Sequence, residues 1–356
     1  VFDFSSSFWD WFLRPTTAVE KISVMVVAIL LFALIVGAII VAVDRPKIPN
    51  WLVVGGFLGP VVLVIGGGLF YPALRTLWVS FTATRDALGD NGKKIINPST
   101  GQVTKEDYFY GFGNYGKIFS DGALQKVLLN TAMWVILVPL IATAIGLVYA
   151  VIIDRSRFEK FAKVLIFTPM AISMVGASII WGFVYDFKDP SVVDNQIGLA
   201  NQVLVWLGLN PVDFLRYWPW NTFALIVVMI WIQAGFAMTL LSAAIKGIPD
   251  DVIEAAKIDG ASGMRLFRSI TIPSIRPTLV VVITTIAMTS LKSFDIVRTM
   301  SRSNEEMSVV ANEFYTQQFT RGQPAIAAAL AVLLFIIVIP IIVYNVRQMR
   351  ISEGMR

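Results

Sequence analysis

IPDDVIEAAKIDGASGMRLFRSITIP, residues 248–273, is charged and punctuated by glycine, yet it lies between two long apolar runs. Two adjacent membrane helices need only about 2–8 residues to turn round in water. This stretch is long enough to build a helix of its own. Pro249 stands at its head, and Asp251 followed by Glu254 makes a D-x-x-E pattern, which can cap a helix start by satisfying its free N–H groups. Ala255 and Ala256 offer a small-residue face for close docking, while Gly260 and Gly263 permit the positive φ of a sharp turn. Pro273 and Pro277 then frame the return into the membrane. The pattern predicts helix, turn, helix, lying along the cytoplasmic surface.

The rest of the chain sets that segment in a bilayer. Of 356 residues, 56% are hydrophobic and only 15% charged, with a mean hydropathy of +0.71. Soluble domains carry about 25% charged residues, so this composition marks a polytopic membrane protein. A bilayer core of about 30 Å needs roughly 20 helical residues to cross it. Seven apolar runs qualify, near 23–43, 54–81, 126–153, 162–186, 222–244, 277–297 and 325–346. The predicted fold is all-α: a polytopic bundle of six helices over 51–347, preceded by an accessory helix within 1–50 and followed by a tail, 348–356.

The net charge of +5 is no nucleic-acid signature, because the basic residues collect at helix ends and short loops. Arg45 and Lys47, then Arg155, Arg157, Lys160 and Lys163, and the tail with Arg347, Arg350 and Arg356 mark the cytoplasmic side. Lys246, Lys257, Arg265 and Arg268 put the 248–273 segment there too. Loops 82–125, 187–221 and 298–324 then fall outside, although the first carries Arg85, Lys93, Lys94, Lys105 and Lys117. Long translocated loops follow the charge rule weakly.

Cysteine and histidine are both absent, which removes disulfides, thiolate nucleophiles, imidazole relays and Cys/His metal sites together. No G-x-x-x-x-G-K-[ST] loop exists to cradle ATP phosphates, so energy has to enter through a partner. The first 22 residues lack the basic start and small-residue cleavage site of a signal peptide. Phe8, Trp9, Trp11, Phe12 and Leu13 read as an interfacial anchor. In the second run, Pro60, Gly66–Gly68 and Pro72 are expected to kink the helix or admit a close neighbour. YFYGFGNYGKIF, at 108–119, suits either an external partner or an aromatic belt at the outer interface. NQVLVWLGL, at 201–209, is too short to span and is expected to lie at the interface or re-enter.

Glu254-Ala255-Ala256, then Gly260, then Ile272-Pro273 resemble the EAA loop of permease subunits of binding-protein-dependent ABC importers. The run IPDDVIEAAKIDGAS is most similar to the MalF-type carbohydrate-uptake branch, with support from GFGNY at 111–115, Asn130-Thr131 and FTP at 167–169. SRSNEEM, at 301–307, departs from the Gly-rich turn common in that branch. The resemblance covers about residues 52–347 and implies an ATP-driven sugar importer of a prokaryotic cell membrane. It implies that Asp251, Glu254, Ala255, Ala256, Asp259, Gly260, Ile272 and Pro273, within the loop 246–276, couple the chain to an ATP-binding subunit. The implied partners are a second permease, two ATP-binding subunits that hold ATP and Mg, an extracytoplasmic sugar-binding protein and the bilayer itself. No cofactor or metal falls to this chain, and no nucleic acid. The implied cargo is maltose, maltodextrin, trehalose or another α-glucoside.

Sugars need hydrogen-bonding groups and flat aromatic faces, both conspicuous inside a bilayer. Met229, Ile232, Gln233 and Phe236 recur at i, i+3, i+4 and i+7 and share one helix face. The resemblance makes this face a lining of the sugar site; packing of Gln233 against a neighbouring helix is the alternative. Thr285, Thr289 and Ser290 join it from the sixth run, where back-bonding of the hydroxyls to their own helix explains them equally. Lys292 and Asp295 are expected to pair. An ion-coupled secondary transporter is the competing reading, but the middles of the runs lack the buried carboxylates such a mechanism uses. A membrane enzyme would need clustered acids at the interface, and Asp250-Asp251 is the only adjacent cytoplasmic pair.

Overall fold

The structure is a computed structural model that describes residues 17–43, 49–86, 105–153, 157–192, 196–301 and 304–353. The chain falls into two units, residues 1–75 and 76–356. In the first, α1 (Ala18–Val43) opens on a capping box: the Thr17 hydroxyl accepts from the Glu20 amide, and the Glu20 carboxylate accepts from the Thr17 amide, each at 3.2 Å. Then come α2 (Asn50–Ile65), a π turn at Gly66–Phe70 and the start of α3 (Tyr71–Ser80). The three glycines lie in the π turn. They serve that wide turn, which shifts the helical register. The aromatic anchor at Phe8–Leu13 and the basic pair Arg45 and Lys47 lie outside the described residues.

The second unit contains the one departure from helix and turn among the described residues. Strands β1 (Thr82–Asp86) and β2 (Lys105–Phe109) form an antiparallel hairpin, with Thr82 opposite Phe109 and Asp86 opposite Lys105. Then follow α4 (Gly113–Ser120), α5 (Gly122–Ile153), α6 (Glu159–Phe167), a 3-10 turn at Thr168–Ala171, α7 (Met174–Val184), the short α8 (Leu199–Trp206) and α9 (Trp220–Lys246). After α9 the order is α10 (Asp250–Ile258), α11 (Gly263–Leu266), a π turn at Phe267–Thr271, α12 (Ile272–Leu291) and α13 (Asp295–Ser301). A 3-10 turn at Glu305–Met307, α14 (Val310–Tyr315), a π turn at Thr316–Thr320 and α15 (Pro324–Glu353) complete the chain.

Six helical runs among the described residues are long and apolar enough to cross a bilayer: 18–38, 54–80, 122–153, 220–246, 263–291 and 324–348. The fourth expected span is two helices, α6 and α7, bent by 102° at the break around residues 172–173. Ser173 caps the second half, its hydroxyl accepting from the Gly176 amide at 3.0 Å. The sixth span begins at Gly263 and stops at Leu291, instead of running from 277 to 297.

The core of this unit is centred on α9. Leu225, Met229, Met238 and Leu241 of α9 pack with Trp134, Val138 and Ala142 of α5 and with Ile275, Val282 and Ile286 of α12. Two glycines set the closest approaches. A Cβ on Gly146 of α5 would stand 2.7 Å from the Met238 amide nitrogen, and one on Gly235 of α9 would stand 2.5 Å from the Ile166 carbonyl oxygen. Asn114 of the GFGNY motif is buried and donates to the carbonyls of Ser80 (2.9 Å) and Thr82 (2.7 Å), and Tyr115 bonds the Ser80 hydroxyl at 2.8 Å. That motif therefore staples the end of α3 to the start of the hairpin.

Candidate functional site

The 248–273 segment forms the expected helix and turn, by a different start. Pro249 is the extended residue ahead of α10, with φ −58° and ψ 137°, and no side chain caps the helix. The D-x-x-E cap expected of Asp251 and Glu254 is absent because the helix already begins at Asp250, placing Asp251 inside the first turn. Asp250 and Asp251 act there through the helix dipole, worth about 0.3–1 kcal/mol for an exposed charge. The other end follows the glycine rule. Gly260 has φ +79°, its amide donates to Lys257 O at 3.0 Å, and the Ala261 amide donates to Ala256 O at 2.9 Å. These two bonds make a Schellman motif with Asp259 as the last half-helical residue.

The two alanines differ in exposure. Ala256 is buried, whereas Ala255 is exposed in line with Val252 and Ile258, the latter 85% exposed. Glu254, Asp259 and Gly260 are exposed beside them. Ile272 is half-buried and Pro273 exposed at the start of α12. Re-entry is not framed by Pro273 and Pro277, since the helix already runs from Gly263. The π turn Phe267–Thr271 precedes Pro273, and such a turn loosens the i to i−4 ladder that a proline interrupts.

On the pathway side, Met229 and Ile232 are enclosed in the core, while Phe236 is half-buried. Gln233 is 8% exposed, and its amide makes no side-chain hydrogen bond among the described residues. On α12, Thr289 donates back to Thr285 O (2.9 Å) and Ser290 to Ile286 O (2.8 Å), with Thr285 half-buried. Thr284, which the sequence reading passed over, donates to Val280 O and accepts from Asn345 of α15. No local pattern pairs those two positions. Lys292 and Asp295 form no ion pair among the described residues. The helix ends at Leu291, so helical i, i+3 spacing does not hold across the break. A cavity of about 390 Å³ opens farther along the broken span, lined by Ser178, Gly182, Asp186, Lys188 and Thr299 among others, and includes neither Gln233 nor Phe236.

The start of α5 is clamped to the segment before α9 and to the loop before α14 by Asn130. Fully buried, it donates to the carbonyls of Glu306 (2.7 Å) and Ser308 (2.9 Å) and accepts from Trp218 Nε1 (2.9 Å) and Thr222 Oγ1 (3.1 Å). Both amide hydrogens and both carbonyl lone pairs are thereby used. Its neighbour Thr131 accepts from the Val310 amide at 2.9 Å. The SRSNEEM loop is held on a second side by Asn304, which donates to the carbonyls of Leu215 (3.2 Å) and Arg216 (3.3 Å). Arg321 bonds Glu305 at 2.7 Å, and that carboxylate raises the Arg321 pKa further above its ordinary value.

Residues 116–350, a continuous stretch holding the core spans and the 248–273 segment, match the model of the binding-protein-dependent transport system inner membrane component. The chain belongs to that family. This permease is therefore a polytopic inner-membrane transport component and not an ATPase, and the ion-gradient alternative falls with that membership. It is 39% identical over 300 residues to the osmoprotective compounds uptake permease protein GgtC of Synechocystis sp., covering 84% of this chain and all of that relative. It is also 39% identical over 309 residues to the alpha-glucoside transport system permease protein AglF of Rhizobium meliloti, covering 86% and 84%. The permease fold matches a chain of a bacterial ABC transporter that imports the acidic polysaccharide alginate, with a TM-score of 0.65 at 21% identity, covering 85% of this chain and 96% of that one.

Proposed function

We propose that this permease is half of the membrane pathway of an ATP-driven sugar importer that takes up an α-glucoside such as maltose, maltodextrin or trehalose. A second permease completes the pathway, two ATP-binding subunits supply the energy, and an extracytoplasmic binding protein delivers the sugar. Relatives named for alpha-glucoside and for trehalose/maltose transport support the substrate class.

The observation that carries the coupling role is the exposed line Val252, Ala255 and Ile258 on α10, ended by the tight turn at Gly260. An apolar line on a helix bounded by acids and lysine is what a groove on an ATP-binding subunit would cover. Ala256 is the buried residue of this helix, and Glu254, Asp259, Ile272 and Pro273 flank the contact. For the sugar, we assign Gln233, whose amide is unengaged among the described residues, and Phe236 of α9, with Met229 and Ile232 on the same helix and Thr285, Thr289 and Ser290 on α12. The faces named here are uncharged, which suits a neutral sugar.

Purification of the tagged chain in mild detergent, followed by mass spectrometry and uptake assays with labelled maltose and trehalose, tests the proposal. Co-elution of an ATP-binding subunit and a second permease, with uptake of either sugar, is expected. A lone chain, or a complex that takes up neither sugar, would overturn it.

A further inference from the structure

The cytoplasmic end of the fifth span is tied to the fourth by two stacked rungs. Glu159 accepts from Lys246 and, at 2.9 Å, from Lys163; the same Lys163 ammonium donates to Ser242 Oγ at 2.5 Å. Glu159 and Lys163 are four residues apart on α6, and Ser242 and Lys246 are four apart on α9, so each rung lies one helical turn from the other. Farther in, Gly235 brings the α9 backbone against the Ile166 carbonyl, so α6 and α9 run antiparallel in contact from Gly235 to Lys246. Lys246 is the last residue of α9, and only Gly247, Ile248 and Pro249 separate it from α10. The far end of α6 meets the 3-10 turn and the 102° bend.

We propose that Glu159 is a positioning residue for coupling: it makes the cytoplasmic half of the fourth span move as one body with the end of α9 and the α10 lever. One carboxylate bridges two ammonium groups here. Neutralising it removes both of these ionic bonds, and with them a link between α6 and the last turn of α9 at the point where movement of α10 enters the bundle. The outer half, α7, lies beyond the break and is not held by these rungs. The inference rests on the reading of α10 as the contact with an ATP-binding subunit.

The test uses the complete transporter in liposomes, with its binding protein and labelled maltose or trehalose, measuring uptake and ATP hydrolysis together. Glu159→Gln is expected to assemble at the normal yield and to keep cross-linking of Ala255→Cys to the ATP-binding subunit. It should move about fivefold less sugar per ATP, or lower still. The exchanged pair Glu159→Lys with Lys246→Glu should restore the ratio, which a merely structural defect would not predict. An unchanged ratio in Glu159→Gln overturns the proposal. If Glu159→Gln fails to assemble, the exchanged pair decides: assembly without a restored ratio also overturns it. Absence of the Ala255→Cys cross-link in an otherwise wild-type transporter overturns the α10 reading instead.

Discussion

Gly146 and Ala237 meet so closely that a Cβ on the glycine would stand 2.5 Å from the alanine Cβ. This contact fixes how near α5 lies to α9, the two helices that supply most of the core. Gly146→Val is expected to force them apart and cost about 1–3 kcal/mol or more, since overpacking of a filled interior carries that penalty. A lowered melting temperature of the purified permease checks it, and an unchanged one would show that the crossing relaxes freely.

Asn130 should be nearly irreplaceable for a similar reason of enclosure. Asn130→Leu leaves the Trp218 indole N–H, the Thr222 hydroxyl and two loop carbonyls without this partner. Each buried polar group so abandoned costs about 1–3 kcal/mol. Limited proteolysis should cut the loop around Glu306 faster in this variant.

At Gly260 the expectation is an order of variants. The φ of +79° with no neighbour within 4 Å of a built Cβ means that backbone strain, not crowding, sets the cost. Asparagine tolerates the left-handed region, alanine pays about 1–2 kcal/mol and a β-branched residue more. Uptake rates should fall in the order Gly, Asn, Ala, Val while the complex still inserts.

Ile258 separates docking from folding. It is 85% exposed, so Ile258→Asp should change the stability of the isolated permease by no more than about 0.5 kcal/mol. Recovery of the ATP-binding subunit with the tagged permease should nevertheless drop sharply. Equal recovery would mean that this line of α10 is not covered in the complex.

Gln233 gives the opposite contrast. Because its amide has no side-chain partner among the described residues, Gln233→Leu should leave stability unchanged or slightly raised. Uptake should show a raised KM. A loss of stability with normal uptake would assign the residue to packing between helices.

Span number, the accessory first helix and the loop with its positive-φ glycines were legible because each depends on local properties: apolar length, or a residue type with special backbone freedom. The bend in the fourth span was not, since 162–186 is apolar throughout and hydropathy carries no direction. Pro169, in the 3-10 turn, was the only local hint. The hairpin escaped because TATRD and KEDYF are short and mostly polar, and their pairing is set by the Asn114 staple. The cap expected of Asp251 failed because Pro249 advanced the helix start. The work of Asn130 lay wholly beyond local reading, as its partners are 88 to 178 residues away along the chain.

The bend in the fourth span also says which way this chain faces. A helix interrupted inside hydrocarbon leaves peptide groups that lipid tails cannot satisfy, so such a break is tolerated only against protein or water. Where the fourth span crosses the bilayer, the side that carries residues 168–173 is therefore expected to meet protein or water instead of lipid. It orients the permease in the plane of the membrane much as the charged loops orient it across the membrane.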